Sequence, residues 1–284
     1  ASVIAVIVNF CINYILIFGH FGFPKLGVIG AAIGTVVSRI VEMGINIAAG
    51  LNNNYLRDAM RLYKISGDIF KNVVKRGIPL LCNEILWSIS IALISQCYST
   101  RGLEAVAAIN VTTTVTNFFM IICYAMGNSI SIIVGQRLGA GEIEYAKDCD
   151  LKMVFMNFMM CLCIGVALFL CSSFIPQIYN TSIEVKSLAT SLLRVSACML
   201  PIISLYYSSY FTMRAGGKTL LTFFFDSGYT FMFTFMVALC LTRFTNLPIF
   251  NVYLLVQCVD IPKAVLGITL VKKGIWVHNI VNEL

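Results

Sequence analysis

The chain has 284 residues and a net charge of +7, with 59% hydrophobic and only 12% charged side chains. A soluble domain carries roughly a quarter charged residues, so this composition excludes an ordinary water-solvated globule and makes the bilayer part of the solvent. Within lipid only helices and closed barrels satisfy their own backbone. The apolar runs here are long and do not alternate, which leaves an all-α, polytopic transmembrane helix bundle.

Eight spans are predicted in chain order: Ser2–Phe18, Val28–Gly50, Pro79–Tyr98, Ala105–Val134, Met153–Ile175, Leu188–Met213, Leu220–Leu241 and Ile249–Val271. Links rich in Gly, Pro, Asn and charge separate most of them. The chain is already apolar from Ala1 and carries no initiator Met, so it reads as a piece whose beginning is missing. The second link, Asn52–Gly77, holds six basic residues, and within it Ile69, Val73 and Arg76 are spaced as on an interfacial amphipathic helix. The even links and the C-terminal tail carry thirteen Lys and Arg residues against four in the odd links. By the positive-inside rule the even links and both chain ends face the cytoplasm. That bias accounts for the net charge, so no nucleic-acid partner is implied.

Ionisable residues at membrane depth are costly and mark either function or pairing. Four acids fall inside the predicted spans, Glu42, Glu84, Asp226 and Asp260, with three bases, Arg39, Arg194 and Lys263. Arg39 with Glu42 and Asp260 with Lys263 are each three residues apart, close enough to neutralise one another on one helix face. Pro262 lies between the second pair and is expected to kink its helix. Glu84 has no base within a turn, which points to a proton or Na⁺ role. Asp226 is divided between function and a packing hydrogen bond. Asn9, Asn13, Asn83, Asn110, Thr113 and their polar neighbours are cavity-lining candidates, with inter-helix hydrogen bonding as the plainer reading. Gly30 and Gly34 make a small-xxx-small packing face. The 11 cysteines are scattered without a CxxC pair, and His20 and His278 stand apart, so no metal centre is expected. Hydrolase and ATPase motifs are missing, so an enzyme is not expected.

Several stretches resemble the multidrug and toxic compound extrusion (MATE) family of secondary transporters. They are Asn9–Gly19, Phe23–Thr35, Gly77-Ile-Pro with Asn83-Glu84, Glu104–Ala108, Val134-Gly-Gln-Arg-Leu-Gly-Ala-Gly141 and Arg214–Thr219. The resemblance implies two six-helix lobes around a cavity. Residues 1–51 would be the last two helices of the first lobe, 52–78 an inter-lobe linker and 79–284 the second lobe, with four preceding helices missing. It maps the family's seventh-helix acid onto Glu84 and its first-lobe site onto Asn9, Asn13 and Thr35, with Asn13 where the family has an acid. Asp226 and Asp260 then stand as substitutes for an absent tenth-helix acid. The implied activity is antiport in the plasma membrane: H⁺ or Na⁺ enters, an amphiphilic, cationic solute leaves, and no cofactor is needed. The rival readings are a lipid-linked saccharide flippase, which wants several cavity Arg and Lys residues, and a membrane enzyme or receptor.

Overall fold

The computed structural model describes residues 1–51 and 67–277. Arg57, Arg61, Lys64 and His278 therefore lie outside the described residues, as does most of the expected linker. The chain divides into two units, Ala1–Phe70 and Lys71–Leu284.

In the first unit α1 (Ser2–Phe18) packs on α2 (Val28–Leu51). Helix α1 ends on Gly19, whose left-handed φ of 75° lets its N–H bond back to the Ile15 carbonyl. The expected small-residue face is used: a Cβ on Gly30 would stand 2.8 Å from the Leu16 backbone, a separation only glycine permits. At 17 residues α1 is about 25 Å long at ~1.5 Å per residue, shorter than the other helices. Among the described residues seven helices are long and apolar enough to cross a bilayer, against the eight predicted spans.

The second unit holds the membrane-length part of six of those seven: α3 (Gly67–Ser99, its apolar part beginning at Gly77), α4 (Leu103–Gly139), α5 (Ile143–Cys171), α6 (Ile183–Ala215), α7 (Thr219–Phe244) and α8 (Ile249–Lys272). Residues 67–78, expected as linker, continue without a break into α3. Helix α6 is the axis. It packs against α4, α5 and α8, and buried positions such as Leu192, Leu200, Ser204 and Met213 occur on every side of it, as a helix enclosed by neighbours requires. Phe118, Phe155, Leu170, Met232 and Val265 on the outer helices are exposed. So broad an apolar surface calls for lipid as its solvent.

Two helices depart from regular α geometry. Within α7 the turns Phe224–Gly228 and Thr230–Phe235 are π-helical. Such widened turns shift the hydrogen-bond ladder and gather at functional positions. Helix α8 breaks at Val259, between Ile249–Cys258 and Asp260–Lys272. The expected Pro262 kink thus sits three residues upstream, because the proline ring has no N–H to offer the carbonyl four residues before it, that of Cys258. The Tyr229 hydroxyl donates to the Val259 carbonyl at 3.0 Å and ties the break to α7.

Candidate functional site: a buried ion pair beside a chamber

The two irregular helices meet at Lys263. Its side chain is only 3% exposed, and its ammonium donates to Asp226 Oδ1 at 3.0 Å, Thr230 Oγ1 at 3.2 Å and the Asp226 carbonyl at 3.4 Å. All three N–H groups are thereby used. The π-helical turns of α7 bring the Asp226 side chain, its carbonyl and the Thr230 hydroxyl to one point. The ammonium also lies 4.6 Å from the centre of the Tyr206 ring, a cation–π contact. From α3 the Asn83 amide donates to Asp226 Oδ2 at 3.2 Å, while its carbonyl oxygen accepts the Ser227 N–H at 3.3 Å. Each charge is therefore paired and hydrogen-bonded, as a buried pair must be.

The pair forms one wall of a chamber of about 320 Å³ in the second unit. Asp260 lines the same chamber, with Trp87 of α3, Thr113 and Asn117 of α4, and Tyr206 and Tyr207 of α6. Lys263 was expected to pair with Asp260 on its own helix. It pairs instead with Asp226 of α7, and no ion pair joins Asp260 to a base among the described residues. The chamber therefore carries two carboxylates against one ammonium.

Gly267, one turn below Lys263, fixes the approach of α8. A Cβ there would stand 2.8 Å from Ser209 Oγ and 2.9 Å from Phe225 Cζ. Gly267→Ala is expected to destabilise the protein by about 1–3 kcal/mol through overpacking, measured by unfolding in mixed micelles, and to loosen the Lys263 pairing with it.

The other sequence-predicted positions fall as follows. Glu84 is exposed and outside the chamber lining; its hydrogen-bond partner is the Tyr210 hydroxyl at 3.4 Å, with Arg214 Nη1 3.5 Å beyond on the same oxygen. Asn83, expected as cavity lining, is buried and acts as a brace for Asp226. Thr113 reaches the chamber, whereas Asn110 is exposed and stands outside its lining. Asn9, Asn13 and Thr35 belong to the first unit. Asn9 and Thr35 line a hollow of about 280 Å³ with Ser38, Arg39 and Glu42. Asn13 donates to Asn9 Oδ1 at 3.0 Å and stands outside that lining. The Arg39–Glu42 pair is present at 2.6 Å.

One buried acid escaped the sequence reading. Asp150 is fully buried on α5 and accepts the Thr212 hydroxyl at 2.6 Å. One turn earlier on α6, Ser208 Oγ accepts from the Asn157 amide at 2.8 Å. These residues stitch α5 to α6. The signal available was weak, since Asp150 sits among Lys147, Asp148 and Lys152 and looks like interfacial charge.

The fold and the site define a multi-pass helical membrane protein with a braced ion pair and a second acid, Asp260, on one chamber. A family model, MatE, matches residues 79–226, and the chain belongs to that family. Among curated relatives it is 25% identical over 228 residues to the probable multidrug resistance protein YoeA of Bacillus subtilis, covering 77% of this chain and 48% of that one. It is 23% identical over 215 residues to the probable multidrug resistance protein NorM of Thermotoga maritima, covering 75% and 46%. The chain thus spans about half the length of these relatives. A crystal structure of MATE in the straight conformation superposes with a TM-score of 0.82 at 20% identity, covering 96% of this chain and 62% of the other. A MOP superfamily transporter from Pyrococcus furiosus, described as having a binding pocket of reverse polarity, gives 0.81 at 18%, covering 96% and 62%. At such identities the likeness establishes the fold.

Proposed function

We propose that the protein is a secondary antiporter, exporting an amphiphilic, cationic solute in exchange for inward-moving H⁺ or Na⁺. In this reading residues 79–284 form the second lobe of the transporter and residues 1–51 the end of the first. The basic links lie in the cytoplasm. The observation that carries the proposal is the charge balance of the chamber, two carboxylates and one ammonium in a lining rich in aromatic side chains. A site of that kind attracts one further cation, and cation and solute then compete for it, so each biases the inward- and outward-facing states through its differential affinity. The chamber volume, about 320 Å³, sits at the small end of ligand pockets, which run from roughly 300 to 1,000 Å³. A flippase for a phosphate-linked saccharide fits less well: the one ammonium of the chamber is already committed to Asp226.

Asp226 and Asp260 supply the chamber's negative charge, and Glu84 adds a third carboxylate, outside the chamber and within reach of Na⁺ or H⁺. The test is dye efflux from proteoliposomes made with the complete coding sequence that contains this chain, under imposed Na⁺ or H⁺ gradients. Glu84→Gln is expected to reduce gradient-driven efflux about 5- to 10-fold, within the range of a coupling free energy of ~1–3 kcal/mol. Undiminished efflux would leave coupling to the chamber acids alone. Failure of any gradient to drive efflux in the unaltered protein would sink the antiport reading.

A further inference from the structure

A second basic residue at membrane depth has no part in the chamber. Arg194 of α6 is exposed, and no carboxylate pairs with it among the described residues. Its partners are neutral hydroxyls just past the end of α5: Nη2 donates to Ser173 Oγ at 2.9 Å and Nε to Ser172 Oγ at 3.4 Å. The guanidinium lies 5.8 Å from the centre of the Phe169 ring. These contacts hold the fork in place without neutralising it, and Nη1 is left with donors to spare.

Below the guanidinium runs an apolar groove between α5, α6 and α8. A hollow of about 320 Å³ is lined by Phe169, Val195, Cys198, Phe250 and Leu254 as well as Arg194. A second hollow, of about 300 Å³, continues along α5 and α6 and shares Phe169 and Cys198 with the first. Helix α6 has 33 residues, so it is ~50 Å long at ~1.5 Å per residue, against a hydrocarbon core of ~30 Å. Centring the core on the helix puts the Arg194 Cα within ~8 Å of the core boundary, a depth from which a long basic side chain reaches the headgroup layer. This is the end of the unit where the links carry few basic residues.

The geometry points to a binding site for one phospholipid of that leaflet, its phosphodiester on the Arg194 fork and an acyl chain laid along the Phe169–Leu254 groove. An unpaired planar guanidinium matches a phosphate bidentately. The apolar groove beneath it is what distinguishes a lipid from a free anion. The inference does not depend on the transport reading.

The test is native mass spectrometry of the purified chain in micelles doped with palmitoyl-oleoyl phosphatidylglycerol. The comparison lipid is the diacylglycerol with the same tails and no phosphate, and inorganic phosphate serves as competitor. The unaltered chain is expected to retain one phosphatidylglycerol at least fivefold over the diacylglycerol, and Arg194→Gln to abolish that preference. Arg243→Gln, a basic residue at the same end of the unit but outside the groove, is expected to leave it unchanged. Cys198→Phe fills the groove while leaving the guanidinium intact, and is expected to release the phospholipid. That variant decides the matter if Arg194→Gln does not fold. Equal retention of the diacylglycerol, displacement by inorganic phosphate, or full retention in either groove variant would overturn the proposal.

Discussion

Replacing Lys263 by methionine is expected to cost about 3–5 kcal/mol of fold stability, the penalty for stranding one partner of a buried ion pair. The side chain is 3% exposed and that of Asp226 15% exposed, so little solvent is at hand to take over either charge. Without the ammonium, Asp226 keeps one donor on its side chain, the Asn83 amide at 3.2 Å, and Thr230 Oγ1 loses a donor that stood at 3.2 Å. Asp226→Asn leaves the converse fault, an ammonium facing an amide in a nearly dry site. Reversible unfolding in mixed micelles measures both.

The double variant separates the worth of the pair from the damage of breaking it. A buried ion pair replaced on both sides by neutral groups of similar size is often no less stable. Lys263→Met with Asp226→Asn is therefore expected to cost less than the two single variants summed, by an interaction energy of about 2–3 kcal/mol across the cycle, at the upper end for residues in contact. A single-variant cost below about 1 kcal/mol would contradict the pairing, because no stranded buried charge is so cheap.

How far the sequence could be read follows from the range of each interaction. Arg39 and Glu42 were legible because three residues on one helix fix a side-chain pair without knowledge of the fold. The same rule misassigned Lys263. Asp226 lies 37 residues away, and only the packing of α8 on α7 brings the two together at 3.0 Å. No periodicity carries that register. The helix boundaries show a second limit. The span expected at Met153–Ile175 belongs to a helix that begins at Ile143, and Ala105–Val134 to one that ends at Gly139. Hydropathy sees the lipid-solvated stretch, whereas the helix continues into water on pairs such as Glu144–Lys147 and Asp148–Lys152. Asp150 was hidden among those charges, although its carboxylate turns inward to Thr212. The small-residue face of Gly30 and Gly34 was legible for the opposite reason: small residues at a four-residue spacing have few uses other than close helix contact. Of the site, the acids Asp226 and Asp260 could be named from their depth alone, while Glu84 lies apart from the chamber they share.

The sharper functional expectation concerns Asp260, the chamber acid that no base neutralises among the described residues. Asp260→Asn leaves one carboxylate and one ammonium, already joined, so the chamber loses the charge for which cation and solute would compete. Gradient-driven efflux in proteoliposomes of the complete coding sequence is expected to fall at least tenfold, corresponding to ~1.4 kcal/mol or more of lost coupling. Fold stability should stay within about 1 kcal/mol, since no ion pair is broken. That separation matters, because Asp226→Asn is expected to lower transport and stability together and so cannot distinguish a coupling role from a structural one. Asp260 stands in the first turn of the second half of α8, immediately after the break at Val259. A carboxylate there is favoured by the dipole of that half-helix. Asp260→Glu keeps the charge and displaces it by one methylene, so it is expected to retain cation-dependent efflux at a reduced rate. Full activity of the Asn variant would move the competition out of the chamber and onto Glu84.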